Sequence, residues 1–129
     1  MKKILFILLI APFLLATQCD DDENSGFETT YMLENNTSVD LYLLRPENRF
    51  LKIQSQSSET IGSELNSITE PVSPEEALVI ESIQLFERVD EDFILIYEQD
   101  PLKNNAWIFM ETSINRFVYT LVINDIQLP

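Results

Sequence analysis

The chain has 129 residues, 45% of them apolar, and sets 22 acids against 8 bases for a net charge of −14. It holds no histidine and one cysteine, which excludes imidazole chemistry, the Ser-His-Asp triad, an internal disulfide and a thiolate zinc site. Two glycines are too few for a phosphate-cradling loop or a dinucleotide fingerprint, and a pI near 4.1 argues against nucleic acid as a partner, since phosphate binding needs a basic surface.

Lys2 and Lys3 form a basic start, and Ile4 to Leu15 is an apolar run interrupted only by Pro12 and weakly by Ala11. At about 1.5 Å per residue the run spans roughly 18 Å, short of a hydrocarbon core of about 30 Å, and reads as the apolar region of a signal peptide over residues 1–18. The only cysteine, Cys19, stands where cleavage is expected and is followed by Asp20-Asp21-Asp22-Glu23. This arrangement resembles a bacterial lipoprotein. The resemblance implies that Cys19 becomes the first residue of the mature chain and is acylated, so that its thiol is an attachment point and not a nucleophile. Ala16, Thr17 and Gln18 precede it, with Leu15 one place earlier than in the usual lipobox. Relaxed boxes of this kind occur in Bacteroidota, and the cluster Asp20, Asp21, Asp22, Glu23 resembles the export signal that sends their lipoproteins to the cell surface. Ordinary secretion with a free cysteine is the alternative. In enterobacteria an Asp after the lipidated cysteine would instead mean retention in the inner membrane.

Removing residues 1–18 takes away two lysines, leaving six bases against 22 acids and a net charge of −16. Residues 19–26 read as the lipidated cysteine and an acidic tether without apolar periodicity. The spaced oxygen ligands and mid-loop glycine of an EF-hand are missing there. Residues 27–129 read as one β-rich domain, large enough to form a core without staples.

From Phe27 onward the period is two. Thr29, Tyr31 and Leu33 alternate with Thr30, Met32 and Glu34, and Asn35-Asn36 supplies turn chemistry. Val39, Leu41 and Leu43 alternate with Asp40 and Tyr42 until the turn Arg45-Pro46-Glu47-Asn48, and Phe50 to Gln54 reads as a third strand. Ser55 to Glu76 is polar and ends among prolines. It predicts a long connection with one short strand around Thr60 to Leu65 and one or two helical turns capped by Ser73-Pro74-Glu75-Glu76. The strongest strand signals follow at Val79 to Phe86, Phe93 to Glu98, Ala106 to Met110 and Phe117 to Ile123. Their spacing predicts an all-β, single-domain antiparallel sandwich of about seven strands, Ig-like in general architecture. A lipocalin-like barrel is the alternative. The strand patterns Tyr31 to Ser38, Ile80 to Phe86 and Asn115 to Asp125 resemble those of short Bacteroidota lipoproteins, especially flavobacterial ones. That likeness implies a lipid-anchored β domain and supplies no activity; with the export signal that the acidic cluster resembles, the expected location is the outer membrane, facing the cell exterior.

Candidate chemistry is sparse. Glu98 beside Tyr97, or Glu111 near Trp107 and Phe109, would suit a glycosidase with aromatic sugar platforms, but most of 22 acids must be solvated faces and turns. A Ser-Lys dyad would have to use Lys52 or Lys103, neither in a recognisable setting. Asp90-Glu91-Asp92 fits a charged hairpin loop better than a cation site, and Asn35-Asn36-Thr37 matches a glycosylation sequon but reads as a turn. Residues two apart share a face, so Phe93, Leu95 and Tyr97, then Trp107 and Phe109, then Phe117, Tyr119, Leu121 and Ile123, are expected in the core. The opposite faces of the same strands carry Ile94 and Ile96, Ile108 and Met110, and Val118 and Val122. If these strands are neighbours, their second face is apolar as well. It must then be covered by the Ser55 to Glu76 connection, by a second layer, or by another molecule. No catalytic residue, metal ligand or cofactor site is expected. The reading is a lipid-anchored accessory or binding module engaging an envelope protein or glycan. An acidic inhibitor or immunity-type protein against a basic enzyme is the alternative, supported by charge alone.

Overall fold

Alternation of buried and outward residues builds eight strands: β1 (Phe27–Asn36), β2 (Leu41–Arg45), β3 (Arg49–Ile53), β4 (Ser57–Asn66), β5 (Ile83–Val89), β6 (Asp92–Gln99), β7 (Trp107–Ser113) and β8 (Arg116–Asn124). The structure is a computed structural model and describes residues 26–67 and 70–128. The expected signal peptide, Cys19 and the acidic cluster Asp20, Asp21, Asp22 and Glu23 lie outside the described residues.

Two four-stranded sheets pack face to face. Sheet A has the order β4-β1-β8-β7 and sheet B the order β3-β2-β5-β6. Every pairing is antiparallel except β1 with β8. The expected sandwich is found, with eight strands where about seven were read, and the sheets do not close into a barrel. Short connections join β1 to β2, β3 to β4 and β6 to β7 across the layers. The two orders therefore run in step, and the free edges of β6 and β7 share one flank.

Between the sheets, Tyr31, Leu33, Trp107, Leu121 and Ile123 of sheet A meet Leu41, Leu43, Ile53, Ile83 and Leu85 of sheet B. β1 shows why the sequence chose this register: Thr29, Tyr31, Leu33 and Asn35 are buried, and the residues between them face outward. Asn35 ends that buried row as a polar tie between strands. Its Nδ2 donates to the carbonyls of Val39, Ile53 and Gln54 at 2.9, 3.1 and 3.1 Å. Its Oδ1 accepts from the backbone N–H and hydroxyl of Thr37 at 3.0 and 2.7 Å. The sequon residue is thus a buried turn former. Among the described residues no buried side-chain nitrogen or oxygen lacks a partner.

The tight turns use no glycine. Glu47, Asn48, Gln56, Asp90 and Asn115 take the left-handed conformation instead, which Asn and Asp tolerate best. Gly62 serves space. A Cβ there would lie 2.9 Å from Val79 Cγ2 and 3.3 Å from Ile80 Cγ2, because the chain between β4 and β5 crosses at this point.

Within the polar stretch Ser55 to Glu76 the strand expected around Thr60 to Leu65 is found and is longer: ten residues form β4, the outer strand of sheet A, and the expected helix is a single 3-10 turn at Pro74–Glu76. Edge strands tolerate polar residues because one side of the strand stays solvated. The rest packs against β1 and β4 of sheet A. Val72 N–H donates to Thr29 Oγ1 at 3.1 Å, and the Tyr31 hydroxyl lies 2.9 Å from the Val72 carbonyl and 3.0 Å from Glu64 Oε2. Glu64 Oε1 in turn accepts from the N–H groups of Leu78 and Val79 at 2.6 and 3.1 Å. Burial, then the Glu64 hydrogen bond, push the Tyr31 hydroxyl far above the ordinary tyrosine range. This connection closes the inner face. It does not cover the outer one.

Candidate functional site

Two outer surfaces carry apolar side chains, and they differ in whether the chain itself satisfies them. On sheet B, alternation turns Tyr42 and Leu44 outward on β2 and Phe50 outward on β3. The β5–β6 register slips between Leu85 and Phe86, so Phe86 opposes Leu95, Leu85 opposes Tyr97, and Ile96 is the extra residue. A bulge of this kind reverses which residues face the core beyond it. Tyr97 faces inward, whereas Phe93 and Leu95 face outward. The expectation that Phe93, Leu95 and Tyr97 share a core face is corrected by that one residue.

The bulge assembles an aromatic cluster on the solvent side of sheet B. Phe50 and Phe93 stand on strands three spacings apart, about 14 Å at ~4.8 Å per strand. Their rings nevertheless stack with centroids 4.1 Å apart and planes within 9°. Both reach over the sheet: Phe50 meets Phe86 edge-on at 5.3 Å, and Phe93 meets Tyr42 edge-on at 5.2 Å. The Arg88 guanidinium lies 6.0 Å from the Phe93 centroid. These rings occupy one another's faces, as a small satellite core does, and leave little open platform on which a sugar would stack.

The outer face of sheet A has no such lid. Across it, Ile108 opposes Thr120, which opposes Met32, and Met110 opposes Val118, which opposes Thr30. Val122 lies next along β8. Four of the six residues expected on a partner-binding face, Ile108, Met110, Val118 and Val122, are therefore brought together. Ile94 and Ile96 are not, because β6 belongs to the other sheet. Ile96 packs against the core from the bulge, and Ile94 is half-exposed opposite Glu87.

β7 is the last strand of sheet A and has a neighbour on one side only. Ile108, Phe109 and Met110 are 58%, 48% and 59% exposed, so this strand offers apolar groups on both faces. Phe109, expected in the core, turns inward beside Phe117 and Tyr119, with ring centroids 6.0 and 5.1 Å away. It lies at the open flank and stays half in solvent. Trp107 is held, its Nε1 donating to Gln99 Oε1 at 3.0 Å. Trp107–Ser113 contains neither Lys nor Pro, the residues that most often blunt a free edge. Free backbone N–H and C=O groups flanked by Ile108, Phe109 and Met110 are the chemistry of strand addition.

The acidic candidates do not converge. Glu98 faces outward on β6 and accepts from Gln84 Nε2 at 2.8 Å, whereas Glu111 is on β7 in the other sheet. Asp90 and Glu91 form the β5–β6 turn, and among the described residues no three acids are grouped so as to hold a metal ion. Lys52 lies 2.7 Å from Asp40. This contact, with the Ser55 N–H, holds the Asp40 carboxyl below the usual carboxylate range. Lys103 lines a shallow cleft of about 540 Å³ with Glu75 and Glu81. A second cleft, of about 460 Å³, opens where β2 and β5 part beyond Leu43 and Leu85. Among the described residues no helix is long and apolar enough to cross a membrane.

Comparison with protein-family models, with curated protein sequences and with solved structures gave no match. The candidate site therefore rests on geometry alone: the β7 edge and the outer face of sheet A beside it.

Proposed function

We propose that this protein is a lipid-anchored, non-catalytic binding module of the cell envelope, and that it engages an envelope protein through β7 and the adjoining outer face of sheet A. The observation that carries this reading is β7 itself, an edge strand whose Ile108, Phe109 and Met110 are all about half or more exposed. Monomeric proteins rarely leave a free edge and a contiguous apolar face together, since such edges invite pairing. The anchor is Cys19, placed behind the apolar run Ile4 to Leu15, and the surface-export signal is Asp20, Asp21, Asp22 and Glu23. An outer-membrane location facing the cell exterior follows from the same segment.

The double variant Ile108→Asp, Met110→Asp tests the reading. Both side chains are mostly in solvent, so the variant keeps its melting temperature within a few degrees of the unchanged chain. It loses the adduct that whole-cell cross-linking gives with the unchanged chain. An unaltered adduct would remove β7 as the binding element, and a collapse of the melt would place these residues in the core.

A further inference from the structure

We infer that the end of the sandwich at which the chain from Cys19 enters rests on the bilayer surface, with Leu65, Leu78 and Ile114 among the lipid headgroups. The inference builds on the anchoring reading above. β1 begins at Phe27, so seven residues, Asp20 to Gly26, separate the acylated cysteine from the first strand. Fully extended they span at most about 24 Å. The entry end is therefore held at the membrane at millimolar effective concentration, where even a weak affinity is mostly occupied.

That end is apolar where it faces out. Leu65 is paired with Glu28 and touches the Cβ direction of Gly26 at 3.7 Å. On the other side of Glu28 lies Arg116, and the Glu28 N–H donates to the carbonyl of Asn115, next to Ile114, at 3.0 Å. Leu78 hangs from Glu64 on the adjoining connection. Leu65, Leu78 and Ile114 are 75%, 88% and 86% exposed, and a groove of about 500 Å³ runs between Leu65, Val72, Leu78 and Val79.

Two acids at this end are engaged. Glu28 forms an ion pair with Arg116. The Glu64 carboxylate receives two backbone N–H groups and the Tyr31 hydroxyl. Glu70, and Glu76 beside Leu78 in the groove, stay exposed. Projecting aliphatic side chains beside acids that remain in water suit the boundary between headgroups and acyl chains, where apolar groups leave water while polar ones stay wet.

The test uses the full-length acylated protein in vesicles of phosphatidylethanolamine and phosphatidylglycerol. Leu65→Cys, Ile114→Cys and Ile126→Cys are each labelled with a thiol dye whose emission shifts to the blue out of water. Ile126 is 97% exposed and follows the opposite end of β8, so it serves as the distant reference. Since Cys19 is the only native cysteine and its thiol is blocked by the anchor, each variant takes one dye. Positions 65 and 114 are expected to shift to the blue and to be quenched by lipids brominated near the glycerol, with position 126 unmoved. Emission at 65 and 114 equal to that at 126, with Cys19 blocked, would overturn this inference alone. Dye uptake by Cys19 in the otherwise unchanged chain would overturn the anchoring reading and this one with it.

Discussion

Asn35→Ala removes a side chain that ties β1, the following turn and β3 together. Two N–H donors and a carbonyl oxygen serve five contacts with Val39, Ile53, Gln54 and Thr37. Some partners keep a second bond: the Thr37 hydroxyl still reaches the Val39 carbonyl, and Ser57 Oγ still reaches that of Gln54. The Thr37 N–H loses the oxygen that accepts it, in a residue that is fully buried. With each net hydrogen bond at about 1 kcal/mol and a buried orphan at about 1–3, the loss comes to about 4 kcal/mol. That is a large share of a total stability of about 5–15 kcal/mol. For a domain of this size it lowers the melting temperature by roughly 15–30 °C. The assay is a thermal melt followed by far-ultraviolet circular dichroism and by the emission of buried Trp107, the only tryptophan. Asn36→Ala, which loses one exposed contact with Glu34, should move the melt by no more than a few degrees. Equal melts for the two variants would refute the assignment of Asn35 as the tie.

Tyr31 gives stability a pH dependence of fixed sign. Its native hydroxyl holds its proton well above the ordinary range, while the unfolded tyrosine ionises near pH 10, so stability is full below about pH 10 and falls as pH rises further. Tyr31→Phe should flatten that alkaline slope and cost about 1–2 kcal/mol at neutral pH, as read by urea titration; a slope unchanged in the variant contradicts it. Gly62→Ala meets Val79 Cγ2 at 2.9 Å and should cost about 1–3 kcal/mol. Val79→Ala in the same chain should recover most of that, and no recovery would mean that the clash lies elsewhere. Cys19→Ser should abolish incorporation of a fatty-acid analogue and release the domain folded, and persisting label would reject the anchor. Replacing Asp20, Asp21, Asp22 and Glu23 by alanine should leave the protein labelled but shielded from protease added to whole cells.

Much of the fold was legible because strand alternation is a local signal. The buried row Thr29, Tyr31, Leu33, Asn35 and the row Phe117, Leu121, Ile123 are visible as every second residue. What a single extra residue does is not visible. Ile96 leaves the pattern Phe93, Leu95, Tyr97 unbroken in sequence, yet its bulge turns Phe93 and Leu95 out and creates the aromatic cluster with Phe50. Sheet membership is equally hidden, because strength of pattern does not say which strand is a neighbour. Hence the sequence pattern groups Ile94 and Ile96 with Ile108, Met110, Val118 and Val122, although β6 and β7 lie in different layers. β4 is longer than the strand expected at Thr60 to Leu65 because Ser57, Ser58 and Glu59 at its start read as loop; an outer strand paired on one side needs few apolar residues. The polar tie from Asn35 to the carbonyls of Ile53 and Gln54 on and after β3 is a contact between distant parts of the chain that no local pattern announces.

The claim that β7 and the face beside it form the binding surface is tested most directly by position-specific photo-cross-linking on intact cells. A photoreactive residue is placed at Ile108 or Met110, and, as the reference, at exposed Lys52 on β3, the far edge of sheet B. One discrete adduct is expected from positions 108 and 110 and none from 52. Its yield should be little changed between low and high salt, because apolar docking and backbone pairing are not screened as the charge-steered association of an acidic inhibitor would be. Equal adducts from all three positions, or none from 108 and 110, would contradict it.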